Sequence, residues 1–422
     1  MEKVLRAVEK IIPKKIYRFF QPAYHYLLAF AGAILYRFPS RGLHVVAITG
    51  TKGKSSTAEF VNVILEATGK KTAILSTIRF KVGEKDTPNK YKMTMPGRFF
   101  TQKFLRSAAG AKCDYAIIEM TSEGARFYRH KGIALDTLIF TNLSPEHIES
   151  HGSFENYLNA KLRLAIAVAK SSKKHRRIIA NVGNQYASHF MVYDTTENIP
   201  YQLSDAHILE ATHTHSVISY KDIPINIPLP GEFNIENALA AIKFAESQGI
   251  DLETIKRGIE SLTKIRGRVE RVQMGQLFDV IVDYAHTDES LRKLYETFAG
   301  KKKVCVLGNT GGGRDIWKRP VMGKIADTYC DEIILTNEDP YDEDPRKIID
   351  EVASGMTTHI PTIILDRREA IKTAIAKAKP GDVVLISGKG TDPYIMGPHG
   401  TKIPWDDAEV AREELEKLIK KS

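Results

Sequence analysis

The sequence predicts an α/β fold with mainly parallel sheets, and three observations carry that reading. Strand-like apolar runs and helix-like segments alternate from residue 43 onward, the order of strands joined by crossover helices. A glycine-containing loop, Thr49-Gly50-Thr51-Lys52-Gly53-Lys54-Ser55-Ser56-Thr57, separates the first apolar run, Leu43–Ile48, from a helical stretch, Ser55–Leu65. The alternation then restarts near Arg266-Gly267-Arg268, which marks a further unit. The expected organisation is a short helical N-terminal extension at 1–42, a central P-loop ATPase-like domain with a parallel sheet at 43–267, and a C-terminal Rossmann-like α/β domain at 268–422.

In the extension, Lys3, Arg6, Lys10, Lys14, Lys15 and Arg18 sit among apolar residues, and Tyr24–Tyr36 is apolar apart from His25. This run is shorter than the ~20 residues a spanning helix needs, and no signal-type cleavage site follows it. Two readings stay open: a basic amphipathic arm lying on an anionic membrane surface, and a helical hairpin packed on the next domain. Further on, Tyr115–Met120 and Leu135–Leu143 read as buried strands, Ser153–Lys170 as a long helix and Arg177–Val182 as another strand. His207–Pro230 alternates and carries prolines, as a small antiparallel patch would, and a helix follows from Asn234. Leu277–Tyr284, Lys303–Leu307, Glu332–Thr336 and Val383–Ser387 read as strands of the last domain, and a charged helix, Asp407–Lys420, closes the chain. Gly311-Gly312-Gly313 lacks the spacing of a dinucleotide fingerprint.

A chain of 422 residues, 43% hydrophobic, holds two or three domains with sizeable cores. The formal charge of +10 admits nucleic acid, but no nucleic-acid module is visible, and phosphorylated, acidic small substrates explain it equally. Cys113, Cys305 and Cys330 lie far apart, so no disulfide framework or zinc ribbon is expected, which fits a reducing cytoplasm.

Strand, glycine turn, Lys-Ser and helix is the phosphate-cradling order; a plain glycine turn is the bland alternative. Gly50 and Gly53 would let backbone N–H groups close on phosphate oxygens, Lys54 would reach the β/γ-phosphates, and Ser55 would bind Mg²⁺. Glu119, at the end of a strand, is placed to ligate a nucleotide-bound Mg²⁺, or is a solvated strand-end acid. His147 follows the strand ending at Leu143, where a metal ligand and an ordinary loop histidine are equally good readings. Lys161 shares an apolar helical face with Phe154, Tyr157, Leu158, Ala165 and Val168. It must snorkel, pair or lose its charge; a neutral amine could take up CO₂ as a carbamate, but spacing alone favours snorkelling. Asn234 and Asn237 lie one turn apart at a helix start, and capping accounts for Asn234. Asp283-Tyr284-Ala285-His286, Arg314-Asp315 with Lys318-Arg319, Asn337-Glu338-Asp339-Pro340 and Gly388-Lys389-Gly390 each follow a strand, so they should converge on one crevice.

Taken together, these motifs resemble the Mur ligase family, and within it the UDP-N-acetylmuramyl-tripeptide synthetases. The resemblance runs over about residues 43–410 in family order. It is carried by Gly50–Ser56, Thr141-Asn142-Leu143 with Glu146-His147 and His151-Gly152, Asn159-Ala160-Lys161, Gly231-Glu232-Phe233-Asn234 with Asn237, Gly267-Arg268-Val269-Glu270, Asp283–Thr287, Gly313-Arg314-Asp315 with Lys318-Arg319-Pro320, and Gly388–Gly390. The resemblance implies an ATP-dependent ligase that joins an amino acid to a peptide carboxylate through an acyl phosphate, with ATP and Mg²⁺. It implies that Gly50, Thr51, Lys52, Gly53, Lys54, Ser55 and Ser56 hold the triphosphate, with Asn234, Arg268, Asp283 and His286 lining the nucleotide site. It makes Ser55, Glu119, His147 and Lys161 metal ligands, with Lys161 carbamylated, and names Lys54, Lys161, His147 and Glu119 as catalytic. Arg314 would grip the carboxylate of the incoming amino acid, and Asp339, Gly388 and Asp392, with Glu338 beside them, would meet its far end.

The chain departs from the pattern in three places. About 42 residues precede the loop strand, where the tripeptide synthetases carry a uridine-nucleotide-binding domain. The Asn-Pro-Arg that reads diaminopimelate is Asp339-Pro340-Tyr341, which points to lysine or another diamino acid. Glu119-Met120-Thr121-Ser122-Glu123 and Thr391-Asp392 also differ from the family's residues. The other readings are a folylpolyglutamate synthase-like ligase and a non-catalytic, membrane-associated homologue. The expected partners are an amino acid and a peptide-bearing cell-wall precursor, with no nucleic acid. The expected state is a cytoplasmic monomer, with peripheral membrane contact through the N-terminal segment left open.

Overall fold

The computed structural model describes residues 14–146, 148–313 and 315–420. The described chain packs as two units. The first runs to Gly50 and includes Thr68–Leu143 and Glu155–Tyr201; the second comprises Thr51–Ala67, Ser144–Phe154 and the chain from Gln202 onward.

The first unit is built on an eight-stranded sheet in the order β4-β3-β2-β5-β1-β6-β7-β8. Its strands are β1 (His44–Thr49), β2 (Thr72–Leu75), β3 (Arg79–Val82), β4 (Lys85–Pro88), β5 (Tyr115–Glu119), β6 (Thr137–Phe140), β7 (Arg177–Asn181) and β8 (Glu197–Tyr201). β2 to β8 pair in parallel across the middle, and β3 and β4 add an antiparallel edge. β1 is buried from Val45 onward, as an apolar run covered on both faces must be. The register sets Ile48 opposite Glu119 and Thr49 opposite Phe140, so β5, β1 and β6 end side by side.

Among the described residues the N-terminal segment holds one helix, Lys14–Leu35, which packs on the helix Arg98–Gly110; the other arm of a hairpin would fall outside those residues. Residues 1–13, with Lys3, Arg6 and Lys10, lie outside those described.

The second unit holds two sheets. The antiparallel patch expected at 207–230 is a three-stranded sheet of β9 (His207–Ala211), β10 (Ser216–Tyr220) and β11 (Ile223–Ile227). The larger sheet has the order β12-β13-β17-β14-β15-β16. It contains β12 (Glu270–Arg271), β13 (Asp279–Asp283), β14 (Lys303–Leu307), β15 (Glu332–Leu335), β16 (Thr362–Ile363) and β17 (Val383–Ser387). All its pairs are parallel except β12 with β13. Two-residue alternation sends Cys305, Leu307, Val383 and Leu385 to one core and Val304, Val306, Val384 and Ile386 to the other. A hairpin of β18 (Tyr394–Met396) and β19 (Lys402–Pro404) precedes the last helix, Asp407–Ile419.

One expectation fails here. Cys305 and Cys330 are disulfide-bonded, with Cα atoms 6.2 Å apart. The helix Lys318–Tyr329 returns the chain from β14 to its neighbour β15, and Cys330 lies just ahead of that strand, so the crossover cancels the sequence distance. Cys113 remains a buried thiol.

Candidate active site

The glycine loop leaves β1 at Thr49 and enters a helix, Lys54–Ala67. Gly50 and Gly53 both have positive φ, at 154° and 82°. At Gly53 a side chain is also excluded by space, because a Cβ would lie 2.2 Å from Asn237 Oδ1. Thr51 ties the loop down: its Oγ1 accepts from Ser144 N at 3.0 Å. The Lys54 ammonium donates to the Thr51 carbonyl at 2.8 Å, and Ser55 and Ser56 are buried.

The asparagine pair supports the loop from the helix Glu232–Ser247. Thr57 Oγ1 donates to Asn237 Oδ1 at 3.3 Å, Asn237 Nδ2 reaches Asn234 Oδ1 at 3.4 Å, and Asn234 Nδ2 donates to the Pro230 carbonyl at 2.8 Å. Asn234 is therefore not the cap expected from sequence. Gly231 holds the N-cap position, and Asn234 lies buried inside the first turn.

Lys52, Glu146 and His286 form a cluster. Lys52 Nζ lies 3.0 Å from Glu146 Oε1 and 3.4 Å from His286 Nε2, and that nitrogen lies 3.1 Å from the same carboxylate oxygen. Burial and the nearby Lys52 charge hold the His286 pKa down at about 4. The ring is then neutral at neutral pH. Its Nδ1, 2.6 Å from the Tyr284 carbonyl, carries the proton, and Nε2 faces Lys52 as an acceptor. Burial also lowers the Lys52 pKa, with Glu146 opposing. Lys318 Nζ donates to the His286 carbonyl at 3.0 Å. Arg268 stacks 4.6 Å from the centre of the Tyr284 ring and reaches Ser55 Oγ at 3.5 Å. Asp283 accepts from Val269 N and Ala285 N, both at 2.7 Å, and so holds the two loops that present Arg268 and His286. Burial raises its pKa against that pull.

In the first unit, Glu119 is fully buried at the end of β5, and its carboxylate accepts from Thr77 N at 3.1 Å and Thr77 Oγ1 at 2.9 Å. Lys161 does not snorkel. It is 2% exposed, donates to the Gly50 carbonyl at 2.7 Å, and lies 4.8 Å from the centre of the Tyr157 ring. The helix Phe154–Ala169 is covered on this face, which leaves a four-carbon stem no path to water. His147 lies outside the described residues, and among those described no three His, Cys, Asp or Glu gather as a metal cluster.

Strand ends of the larger sheet bring the remaining motifs together, save Arg314, which lies outside the described residues. Asp339 is committed within the protein: its Oδ1 accepts from Lys389 Nζ at 2.9 Å and from Met396 N at 2.8 Å. Lys389 also reaches Asp392 at 3.5 Å and the Tyr394 carbonyl at 2.6 Å. Beside this pair, Glu338 is buried, with Oε1 accepting from Thr310 and Oε2 left without a hydrogen-bond partner. Burial, then the charge of Asp339, raises its pKa. Gly388, at φ 105°, leaves the space Glu338 uses, since a Cβ there would lie 2.3 Å from Oε2. Glu146 and Lys389 are absent from the residues that the sequence places at the site. Each lies inside a motif, but only the fold shows what it touches.

The family profile of the Mur ligase middle domain matches residues 48–245, and that of the Mur ligase glutamate ligase domain matches 267–390. The chain is 36% identical to a UDP-N-acetylmuramyl-tripeptide synthetase of Roseiflexus sp. (strain RS-1), over 93% of this chain and 82% of the relative. It is 37% identical to the UDP-N-acetylmuramoyl-L-alanyl-D-glutamate–2,6-diaminopimelate ligase of Syntrophomonas wolfei, with the same coverage. A solved structure of a ligase of that second name superposes with a TM-score of 0.61 at 26% identity, over 89% of this chain and 79% of the other. Folylpolyglutamate synthase from Mycobacterium tuberculosis superposes with a TM-score of 0.67, over 92% of this chain and 94% of the other; at 16% identity it shares the fold alone.

Proposed function

We infer, for a chain that belongs to the Mur ligase family of ATP-dependent ligases, that it extends the peptide of a muramyl cell-wall precursor by one amino acid in the cytoplasm. The carrying observation is the cluster behind the glycine loop, where Lys52, Glu146 and His286 meet and Arg268 reaches Ser55. Lys52, Lys54, Arg268 and Lys318 supply the positive charge a triphosphate needs, and the positive-φ glycines leave backbone N–H groups uncovered by side chains.

A carboxylate is a poor acyl donor, because an oxide would have to leave. Phosphoryl transfer from ATP gives an acyl phosphate; the amine attacks its carbonyl carbon, and phosphate departs. Lys54 offsets charge on the transferring group, and Thr51 and Asn237 hold the loop that carries it. Mg²⁺, when bound, would neutralise phosphate charge, and its proposed ligands are Ser55, Glu119, His147 and Lys161. Hydroxyl and carboxylate oxygens suit that ion, whereas a lysine does so only as a carbamate. We assign Arg314 to the amino acid's carboxylate. The orphan oxygen of Glu338, rather than the committed Asp339, is proposed to face its side-chain end. An ammonium satisfies that oxygen, and Tyr341 offers no bidentate partner for a second carboxylate, so lysine is favoured over the diaminopimelate named in the Syntrophomonas relative. Domain boundaries near 42 and 267 and a monomeric state complete the proposal.

The test is release of ADP and phosphate with muramyl dipeptide acceptors and lysine or diaminopimelate in competition. Lys54→Ala should lower turnover by about a thousandfold or more. Near-normal turnover in that variant overturns the mechanism, and a higher kcat/KM for diaminopimelate overturns the assignment of Glu338.

A further inference from the structure

From Tyr24 to Leu35 the first helix is buried along one side only. Ala29 and Ala33 are buried against the first unit, and Gly32 lies 3.5 Å from Phe99 at its would-be Cβ. His25 packs edge-on against Phe127, with ring centres 5.0 Å apart. On the opposite side Leu27, Phe30, Ile34 and Leu35 are 47–66% exposed. At 3.6 residues per turn they share an arc of about 140°.

A helix facing water normally carries charge on its outer face. This one has no charged residue between Arg18 and Arg37. The charge is gathered at its ends instead: Lys14, Lys15 and Arg18 before the apolar stretch, Arg37 and Arg41 after it. Arg37 and Arg41 are exposed, and Arg41 lies 4.5 Å from the centre of the Phe38 ring, which itself packs on Phe30. No acidic residue occurs between Glu9 and Glu59. No helix among the described residues is long and apolar enough to cross a membrane, so this face is suited to lie along a surface.

We propose that this face seats the enzyme on an anionic lipid bilayer, with Leu27, Phe30, Ile34 and Leu35 among the acyl chains and Arg37 and Arg41 at the headgroups. A second copy of the chain fits less well. Pairing two such faces would bring their uniformly basic ends together, whereas an anionic bilayer satisfies both the apolar arc and the charge.

The test is co-sedimentation of the full-length protein with vesicles of equimolar phosphatidylglycerol and phosphatidylcholine, beside vesicles of phosphatidylcholine alone. Binding is expected to the anionic vesicles and to weaken as salt is raised. The triple variant Leu27→Ser, Phe30→Ser, Ile34→Ser changes exposed side chains and should keep the parent's melting temperature while losing at least about tenfold in partitioning. Arg37→Gln with Arg41→Gln should weaken binding to the anionic vesicles alone. The proposal is overturned if neither vesicle binds, if the triple variant binds as well as the parent, or if light scattering shows a dimer that the triple variant dissociates. Ligase turnover on a soluble acceptor should be unchanged in the triple variant, which separates this result from failure of the functional assignment.

Discussion

Two fully buried lysines are kept in different company. Lys389 has the carboxylates of Asp339 at 2.9 Å and Asp392 at 3.5 Å, together with the Tyr394 carbonyl. Lys161 donates to the neutral carbonyl of Gly50 and lies over the Tyr157 ring. Carboxylates hold a lysine in its charged form, and a charged amine cannot take up CO₂. A carbonyl accepts from a neutral amine as well as from an ammonium, and so leaves the neutral form open. Burial alone thus says little about a lysine's role; the groups that accept its protons say more.

The sharpest way to break the comparison is to remove Lys161. Lys161→Ala should cut turnover by about 10²–10³-fold, and short carboxylates such as acetate or formate should restore part of it. A loss that no carboxylate rescues, with an unmodified mass for the parent lysine after equilibration with bicarbonate, would sink the carbamate. The matching change at the other lysine should act on folding. Lys389→Met leaves Asp339 buried without its cation and should cost about 3–5 kcal/mol in denaturant unfolding, with Asp339→Asn recovering part of that loss in the double variant. An undiminished Tm would mean that the ion pair is not the lock described here.

A smaller effect is expected next door. Glu338→Gln keeps the shape and removes the charge. It should raise KM for lysine about tenfold and leave KM for ATP unchanged; equal changes in both would place Glu338 in the scaffold and not at the substrate.

The smallest effect at neutral pH concerns a third buried base. His130 is 1% exposed, neither ring nitrogen has a hydrogen-bond partner, and burial pushes its pKa down to about 3. Its folded pKa lies below the unfolded value of about 6.5, so the unfolded chain binds the extra proton first. Stability is then unaffected above that pH and falls below it, by at most about 1.4 kcal/mol per pH unit. His130→Leu should flatten the decline between pH 6.5 and 4 by one proton's worth. An unchanged slope would show that His130 is not what titrates.

Much of this was legible in the sequence where local chemistry decides. Lys303–Leu307 and Val383–Ser387 are strands over the ranges expected, because continuous apolar runs flanked by turns admit little else. The antiparallel patch showed through its alternation and prolines. The failures share one cause, that spacing along the chain does not report distance across it. Cys305 and Cys330 looked remote until a crossover helix set their strands together. Spacing alone favours snorkelling for Lys161, because periodicity shows a stripe but not what covers it; the carbamate reading comes from the family resemblance instead. Asn234 passes for a cap because its place three residues past the N-cap, Gly231, is not visible from sequence. The pairing of Asp339 with Lys389, fifty positions later in the chain, is equally invisible from spacing. All of these except Asn234 depend on a long-range contact, which no local signal could have supplied.

The strand order of the larger sheet bears on how the chain is made. β17 lies between β13 and β14 and pairs with both, although it is the last of that sheet's strands to leave the ribosome. Until Val383–Ser387 emerges, β13 and β14 each keep an unpaired inner edge, and an open edge is a template for wrong partners. Closing the sheet then depends on contacts between segments as distant as Asp279 and Val383, which are slow to form. Nascent chains stalled before this point should therefore be the most prone to aggregate and the most dependent on chaperones, although most of the protein has by then been synthesised.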